Sequence, residues 1–387
     1  MSKIALVSHS YPTKNFPAQT TFIKSEAHLI NQFHSVEVHL PFVRALPLQK
    51  QYFRTLNPDE QTLPVHRFSY FSFPGRRFAS ITQSSLSKNL LKSLENQKPD
   101  IVHLHFLYPS GLAIPTLKEA GYPVVLTIHG GDWYSNLSNQ KIMPLLSRSL
   151  LMSDKIICVG KELTRDISSF HPELKDRLFH IPHGIDTRIF HPVPDNKIIL
   201  EKIAWNTTKK NLLCIANMYH GKGIDLLIRA YSTISDREKY HLHIVSPAGS
   251  NQTKSKIDQL INEYKLHHQI TFYNSMHQNR LADLLRCADL LISPSRKEGF
   301  GLVVAEAIAC GTPVLATRSG GPEEIVHSDC GMLVDSNNWK QLADGLESIL
   351  NNLKRFQADK MHLHIKTNFS IEAKKEKLQA VYHDILS

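Results

Sequence analysis

Short apolar runs alternate with helical stretches along this chain, the pattern stops, and then it starts again. Residues 4–8, 36–41, 101–104, 124–128 and 156–159 are apolar runs of strand length, and 20–33 has helical spacing. Alternation of this kind predicts a parallel sheet with helices on both faces. After residue 187 it resumes: 212–215, 241–245, 270–273, 290–293 and 314–317 read as strands, and 224–234 as a helix. Between the two series lies IPHGIDTRIFHPVPDNK, residues 181–197, rich in Pro, His and Gly and without clean periodicity, which reads as a hinge. A chain of 387 residues also exceeds what one core usually holds. The expected architecture is α/β: an N-terminal Rossmann-like domain over 1–187, a second over 188–370, and a C-terminal helix over 371–387 packing back on the first. Ligands in open parallel sheets bind beyond the carboxyl ends of the strands, and with two such domains the expected site is the cleft they face across.

Composition narrows the partners. No apolar run approaches the ~18 residues of a membrane span, and the start, MSKIALVSHS, is too short in apolar residues for a signal-peptide core. The expected location is cytoplasmic. The five cysteines, at 158, 214, 287, 310 and 330, contain no CxxC pair, and the 22 histidines contain no HExxH. Disulfide frameworks, zinc ribbons and metalloprotease sites are therefore not expected, and no metal is assigned. The formal net charge of +10 suits anionic lipid, nucleic acid or phosphorylated substrates without choosing among them. Residues 44–98 break the alternation with nine Lys/Arg against three acids and seven aromatics, including Phe68, Tyr70, Phe71 and Phe73. That composition suits peripheral contact with an anionic membrane. The other reading is an insertion that packs its aromatics on the core and leaves its charges in water.

The densest chemistry lies in SRKEGFGLVVAEAIACGTPV, residues 295–314. Gly299 and Gly301 allow a tight turn and close backbone approach. Residues 302–310 then read as a helix, Gly311 as its cap, and Pro313 as its end. Strand, glycine turn and helix N-terminus together form an anion site, and phosphate is the usual occupant. Glu298 stands beside the turn and Glu306 one helical turn beyond it. A carboxylate on the phosphate itself would be repelled. One on either side accepts hydrogen bonds from hydroxyls, which suits a nucleotide sugar with ribose on one side and hexose on the other. A solvated helix residue and a turn residue would give the same spacing, so the spacing alone decides nothing.

The whole string EGFGLVVAEAIACGTPVLATRSGGPEEIV resembles the signature of retaining glycosyltransferases of family 4, which have the GT-B fold. HLHFLYPSG (103–111), VVLTIHGGD (124–132), IPHGIDTRIFHP (181–192), LLCIANMYHGKGIDLLIRAY (212–231) and LADLLRCADLLISPS (281–295) fit in order, so the resemblance covers about residues 1–375. In style it is similar to transferases that build cell-surface polysaccharide. The resemblance implies that Lys222 holds the donor pyrophosphate, Glu298 the donor sugar's hydroxyls and Glu306 the ribose. It implies that Gly299, Phe300, Gly301, Leu302 and Val303 supply backbone N–H groups, and that His129 faces the donor sugar. Asp132 shares the loop of His129 and is assigned to the acceptor side. Two positions depart from the family. Asn217 stands where an arginine often supplies a second phosphate cation. The loop after the first strand, SYPTKNFPAQTTF, has no glycine, and Thr20 or Thr21 takes that place.

The implied reaction moves a sugar from a UDP- or GDP-sugar to a hydroxyl of a growing glycan or lipid-linked acceptor, retaining anomeric configuration and needing neither metal nor resident cofactor. No nucleic-acid partner is expected. Two alternatives remain: a nucleotide-sugar epimerase of the same fold, and a non-enzymatic sugar-binding protein.

Overall fold

A computed structural model describes residues 1–12, 20–44, 63–76 and 78–387. Two compact units are present, one formed by Met1–Gly184 with Lys374–Ser387 and the other by Ile185–Ala373.

In the first unit β1 (Lys3–Val7), β2 (Ser35–Val43), β3 (Val65–Tyr70), β4 (Ile101–His105), β5 (Val124–Ile128), β6 (Lys155–Cys158) and β7 (Leu178–His180) form one parallel sheet in the order β3-β2-β1-β4-β5-β6-β7. Every residue of β4 (IVHLH) and β5 (VVLTI) is buried. Helices cover both faces of such a sheet, so its central strands have no polar side to alternate with. In the second unit β8 (Lys210–Ile215), β9 (Tyr240–Val245), β10 (Ile270–Tyr273), β11 (Leu290–Ser293), β12 (Val314–Arg318) and β13 (Gly331–Asp335) run parallel in the order β10-β9-β8-β11-β12-β13. Its core gathers Leu212, Cys214, Ile244, Leu290 and Ile292 from the strands with Leu227, Tyr231, Leu342 and Leu346 from the helices. Both units are Rossmann-like.

Sequence reading found the central strands and missed β3, β7 and β13. All three are sheet edges, and their side chains alternate or stay half-buried (VHRFSY, LFH, GMLVD). An edge strand has a neighbour on one side only, so it does not need a continuous apolar run. The change of unit falls after Gly184 rather than after residue 187. The stretch expected to be a hinge is divided: residues 181–184 stay with the first unit, and from Ile185 on it is anchored in the second, where the Ile185 N–H donates to the Phe369 carbonyl and Phe190 is buried.

Segment 44–98 divides. Residues 45–62 and Arg77 lie outside the described residues. The rest supplies β3, with Phe68 and Tyr70 buried, and the helix Ala79–Leu94, with Leu86, Leu90 and Leu94 buried. Phe71, Phe78 and Ile81 remain exposed.

The C-terminal helix Ile371–Leu386 enters the first unit at Lys374 and buries Leu378, Val381 and Tyr382 there. The Tyr382 hydroxyl lies 2.6 Å from His103 Nδ1. The Lys374 ammonium donates to the Glu26 carboxylate, with side-chain exposures of 6% and 2%. Burial would raise the Glu26 carboxyl, but Lys374, with His105 and His103 adding to it, outweighs that and brings it down to about 2. Removing one partner strands a buried charge, whereas removing both does not. Glu26→Leu or Lys374→Met alone is expected to cost about 3–5 kcal/mol in urea unfolding, and the double variant clearly less than either. A double variant as unstable as the sum of the singles would show that the pair does not act as one.

Candidate active site

The strand order of the second unit reverses between β8 and β11. From β8 the chain moves one way to β9 and β10, then returns beside β8 and moves the other way through β11, β12 and β13. The loops leaving β8 and β11 therefore diverge, and a crevice opens between them at the carboxyl ends of the strands. Most of the residues singled out for the donor lie on these two loops and on the helix that follows the second.

Lys222 ends a short turn, His220–Lys222, and Gly223 follows at φ +66° before the helix Ile224–Ser232. A Cβ on Gly223 would lie 1.9 Å from the Pro294 carbonyl oxygen, so only glycine lets the two loops come this close. Their approach brings Lys222 Nζ to 2.6 Å from Glu298 Oε2. Ser295 Oγ donates to the same oxygen at 3.2 Å. The side chains are 32% and 21% exposed, so the pair remains open to solvent on one side. Asn217 lies on the β8 loop, and its buried Oδ1 has no hydrogen-bond partner among the described residues.

The backbone of Glu298 is pinned from the β12 side. Its N–H donates to the Ser319 carbonyl at 2.8 Å, and its carbonyl accepts from Gly321 N–H at 3.0 Å. Gly321 has no room for a side chain, because a Cβ there would meet the Phe300 backbone at 2.2 Å. Gly301, at φ +96°, caps the helix Leu302–Ala309. The first-turn amides of that helix, at Leu302 and Val303, have no acceptor within it. Glu306 lies on the helix and is 5% exposed, and burial pushes its carboxyl up to about 8. Near neutral pH it is therefore a neutral acid that both donates and accepts.

Arg296 was not anticipated. Its backbone N–H donates to the Gly221 carbonyl, and its guanidinium donates to the His220 carbonyl, to Asn337 Oδ1 and to both Asp225 oxygens at 2.8 and 2.9 Å. Lys256 reaches the same carboxylate at 2.8 Å. Arg296 thus ties the Lys222 turn to the β11 loop. Its only sequence signal was its place two residues before Glu298.

In the first unit, His129 leaves β5 at the head of a row of imidazoles. Its Nδ1 lies 3.4 Å from His183 Nε2 and its Nε2 lies 3.2 Å from His105 Nδ1. His105 Nε2 is 3.7 Å from Glu26 Oε1, and the His103 ring centroid lies 4.6 Å from that of His105. Burial and the neighbouring histidines hold His129 well below the ordinary imidazole range; burial brings His105 to about 4 and His183 to about 3. The row is neutral. Asp132 is 9% exposed and is committed to the backbone: Oδ1 accepts His129 N–H at 3.0 Å and Oδ2 accepts Leu107 N–H at 2.6 Å. The contacts shown for Asp132 position the His129 loop. Thr20 caps the helix Thr21–Ile30 at φ +45°, a left-handed conformation that glycine would take without strain, and its Oγ1 lies 3.1 Å from Ser10 Oγ.

The family "Glycosyl transferases group 1" matches residues 195–380, and "Glycosyltransferase Family 4" matches residues 26–189. Two curated relatives span about nine-tenths of both sequences. An N-acetyl-alpha-D-glucosaminyl L-malate synthase of Bacillus anthracis is 25% identical, over 92% of this chain and 90% of its own length. A Bacillus subtilis glycosyltransferase assigned to teichuronic acid biosynthesis is 25% identical, over 89% and 88%. Among solved structures, the HepE protein of Anabaena, in complex with UDP and glucose, superposes with a TM-score of 0.79 over 99% of this chain and 100% of its own, at 16% identity. That last likeness establishes the fold.

Glu306 gives a pH test. Its carboxyl sits at 4.5 when exposed and at about 8 in the fold. Between these values the folded protein holds a proton that the unfolded chain has lost, so this residue's contribution is complete below 4.5 and disappears as pH rises through 8. Glu306→Gln keeps the shape and removes the titration. Its melting temperature relative to wild type is expected to rise from pH 5 to pH 9. A constant difference across that range would contradict a buried neutral acid.

Proposed function

Because the chain belongs to glycosyltransferase family 4 and has the GT-B fold, we propose that it transfers a hexosyl group from a UDP- or GDP-sugar to an acceptor hydroxyl, with retention of configuration. The observation that carries this reading is the Lys222–Glu298 pair at the point where the strand order reverses, beside a glycine turn and a helix N-terminus. The arrangement sets positive charge next to a hydroxyl acceptor, which is what a sugar diphosphate requires.

The roles follow from the groups. An ammonium has three N–H donors, so Lys222 can keep Glu298 and still reach a diphosphate oxygen. Both bonds to Glu298 end on Oε2, which leaves Oε1 to accept from a sugar hydroxyl. The amides of the Gly299–Val303 turn face the phosphates, Asn217 Nδ2 donates where the family often has arginine, and Glu306 bonds the ribose. In the first unit His129 is held neutral, and Asp132 fixes its loop. In the chemical step the bond from the anomeric carbon to the diphosphate oxygen breaks. The bond to the acceptor oxygen forms on the same face, and the acceptor proton passes to the departing diphosphate. Stabilising that leaving charge by preorganised donors is the main catalytic contribution. Lys222 and the helix terminus supply the positive charge, so this reading needs no divalent ion in the step.

A panel of UDP-, GDP- and ADP-sugars, read by melting temperature and then by released nucleotide, identifies the donor. With that donor, Lys222→Ala is expected to weaken nucleotide binding by about 1.5–3 kcal/mol. Glu298→Gln is expected to lower transfer about a hundredfold with the melting temperature kept. Added magnesium leaves the rate unchanged. Unaltered nucleotide affinity in Lys222→Ala would remove that residue from the site, and an altered sugar nucleotide formed without acceptor would identify an epimerase.

For the acceptor, a lipid-linked glycan of cell-surface polysaccharide fits the exposed patch of Phe71, Phe78 and Ile81 and the outward Lys88 and Lys92. The teichuronic acid relative supports this choice. Arg76 does not serve this contact, because it donates to the Ser135 carbonyl at 3.1 Å and its guanidinium lies 4.9 Å from the Tyr108 ring centre. Among the described residues no helix is long and apolar enough to cross a membrane. Peripheral attachment would therefore rest on this patch and these charges, each basic residue contributing about 1 kcal/mol near an anionic bilayer. Co-sedimentation with anionic vesicles is expected at low salt, and it should fall at high salt and in Lys88→Glu/Lys92→Glu. Wild type remaining in the supernatant at low salt would point to an acceptor away from the membrane.

A further inference from the structure

We propose that His327, Cys330 and His364 form a structural site for a zinc-class divalent ion on the second unit, separate from the donor crevice. One potential ligand atom from each residue lies within 4.8 Å of the others. Metal bonds of about 2.0–2.1 Å to nitrogen and 2.3 Å to sulfur put neighbouring ligands of a tetrahedral ion roughly 3.3–3.8 Å apart, so small side-chain shifts close the site. One thiol and two imidazoles are the donor set that a borderline-soft ion selects over magnesium or calcium.

The local backbone is built for this. His327-Ser-Asp-Cys330 forms one turn, in which the Cys330 and Gly331 N–H groups both donate to the His327 carbonyl at 3.0 Å. The same turn aims the His327 N–H at Cys330 Sγ, 3.2 Å away, the kind of donor that stabilises a thiolate. The helix Ala358–Asn368 brings His364, whose ring centroid lies 4.4 Å from that of His327 at 82°. Asp329, with a carboxylate oxygen 3.9 Å from His327 Nδ1, or solvent fills the fourth position.

Cys330 is wholly buried, while the His327 side chain is 45% exposed, so the ion arrives from the solvent side. Burial pushes the thiol up to about 11. In the structure Sγ points at the Ile325 and His327 carbonyls at 3.7 and 3.4 Å, and His364 Nε2 donates to the Ile325 carbonyl at 2.9 Å while its Nδ1 accepts from Asn368 at 3.3 Å. Metal binding exchanges one of these imidazole bonds for a metal–nitrogen bond. It also replaces the S–H bond with a sulfur–metal bond, and the displaced proton goes to solvent. Affinity therefore falls as pH is lowered. Ile325 follows the turn Pro322–Glu324, just after Ser319–Gly321, which pins the Glu298 backbone. An ion here would fasten the helix Ala358–Asn368 to the support of the donor loop.

The test is titration of the full chain, first stripped with chelator, with Co(II) and then Zn(II). Tight binding of one equivalent is expected, with a near-ultraviolet thiolate-to-cobalt band and visible bands of tetrahedral intensity, all displaced by zinc. Zinc should also raise the melting temperature. Cys330→Ser should lose the thiolate band and bind roughly tenfold more weakly or worse. His327→Asn, at a half-exposed ring, keeps the core intact if Cys330→Ser does not fold, and should show the same weakening. Cobalt bound without a thiolate band, or bound equally by wild type and His327→Asn, would mean adventitious binding by other histidines and would overturn the proposal.

Discussion

The site depends on two loops whose separation is fixed by strand order and whose contact is fixed by glycine. Reversal at β8/β11 opens the crevice, and Gly223, where a Cβ would lie 1.9 Å from the Pro294 oxygen, lets its walls meet. The Lys222–Glu298 pair is a consequence of that approach, and Arg296 locks it from behind through Asp225 and the His220 carbonyl. The charges are far apart in sequence, and neither loop alone could hold its side chain at this point.

The two units treat their ionisable groups differently. In the first, burial leaves four imidazoles neutral in a row, and a buried ion pair, Glu26–Lys374, stands beside it. Within that row, Glu26 with His103 and His105 has ligand-like spacing, but the Lys374 ammonium already neutralises its carboxylate. In the second unit, the half-open Lys222–Glu298 pair keeps its charges near solvent, while Glu306, fully desolvated a short way along the helix, carries a proton. Desolvation is what keeps the proton on Glu306. A neutral carboxyl of that kind can both donate to and accept from hydroxyls.

Much of this was legible in the chain. Buried central strands demand apolar runs, so their number and alternation showed the fold class and both units. The glycine turn before Leu302 and the cation before Gly223 were visible as motifs because backbone conformation there admits few residue types. What escaped was whatever edge position or distance in sequence conceals. β3, β7 and β13 lie at sheet edges and lack the apolar run, and Arg296 works through partners 71 to 76 positions before it and 41 after it. The search for metal spacing found no HExxH, yet the fold brings His364 to a His-x-x-Cys turn 34 residues earlier in the chain. Asp132 was read as an acceptor contact, and its carboxylate is found holding two backbone amides.

The sequence by itself determined the two parallel sheets, the location of the glycine turn before Leu302 and the identity of the groups on it. These are properties of local periodicity and of residues that one backbone conformation requires. Tertiary structure alone decided which charge meets which, that Glu306 keeps its proton, and that Lys374 is the residue of the returning helix that meets Glu26. Those depend on burial and on distances between residues up to 348 positions apart, and neither quantity is present in any short stretch of chain.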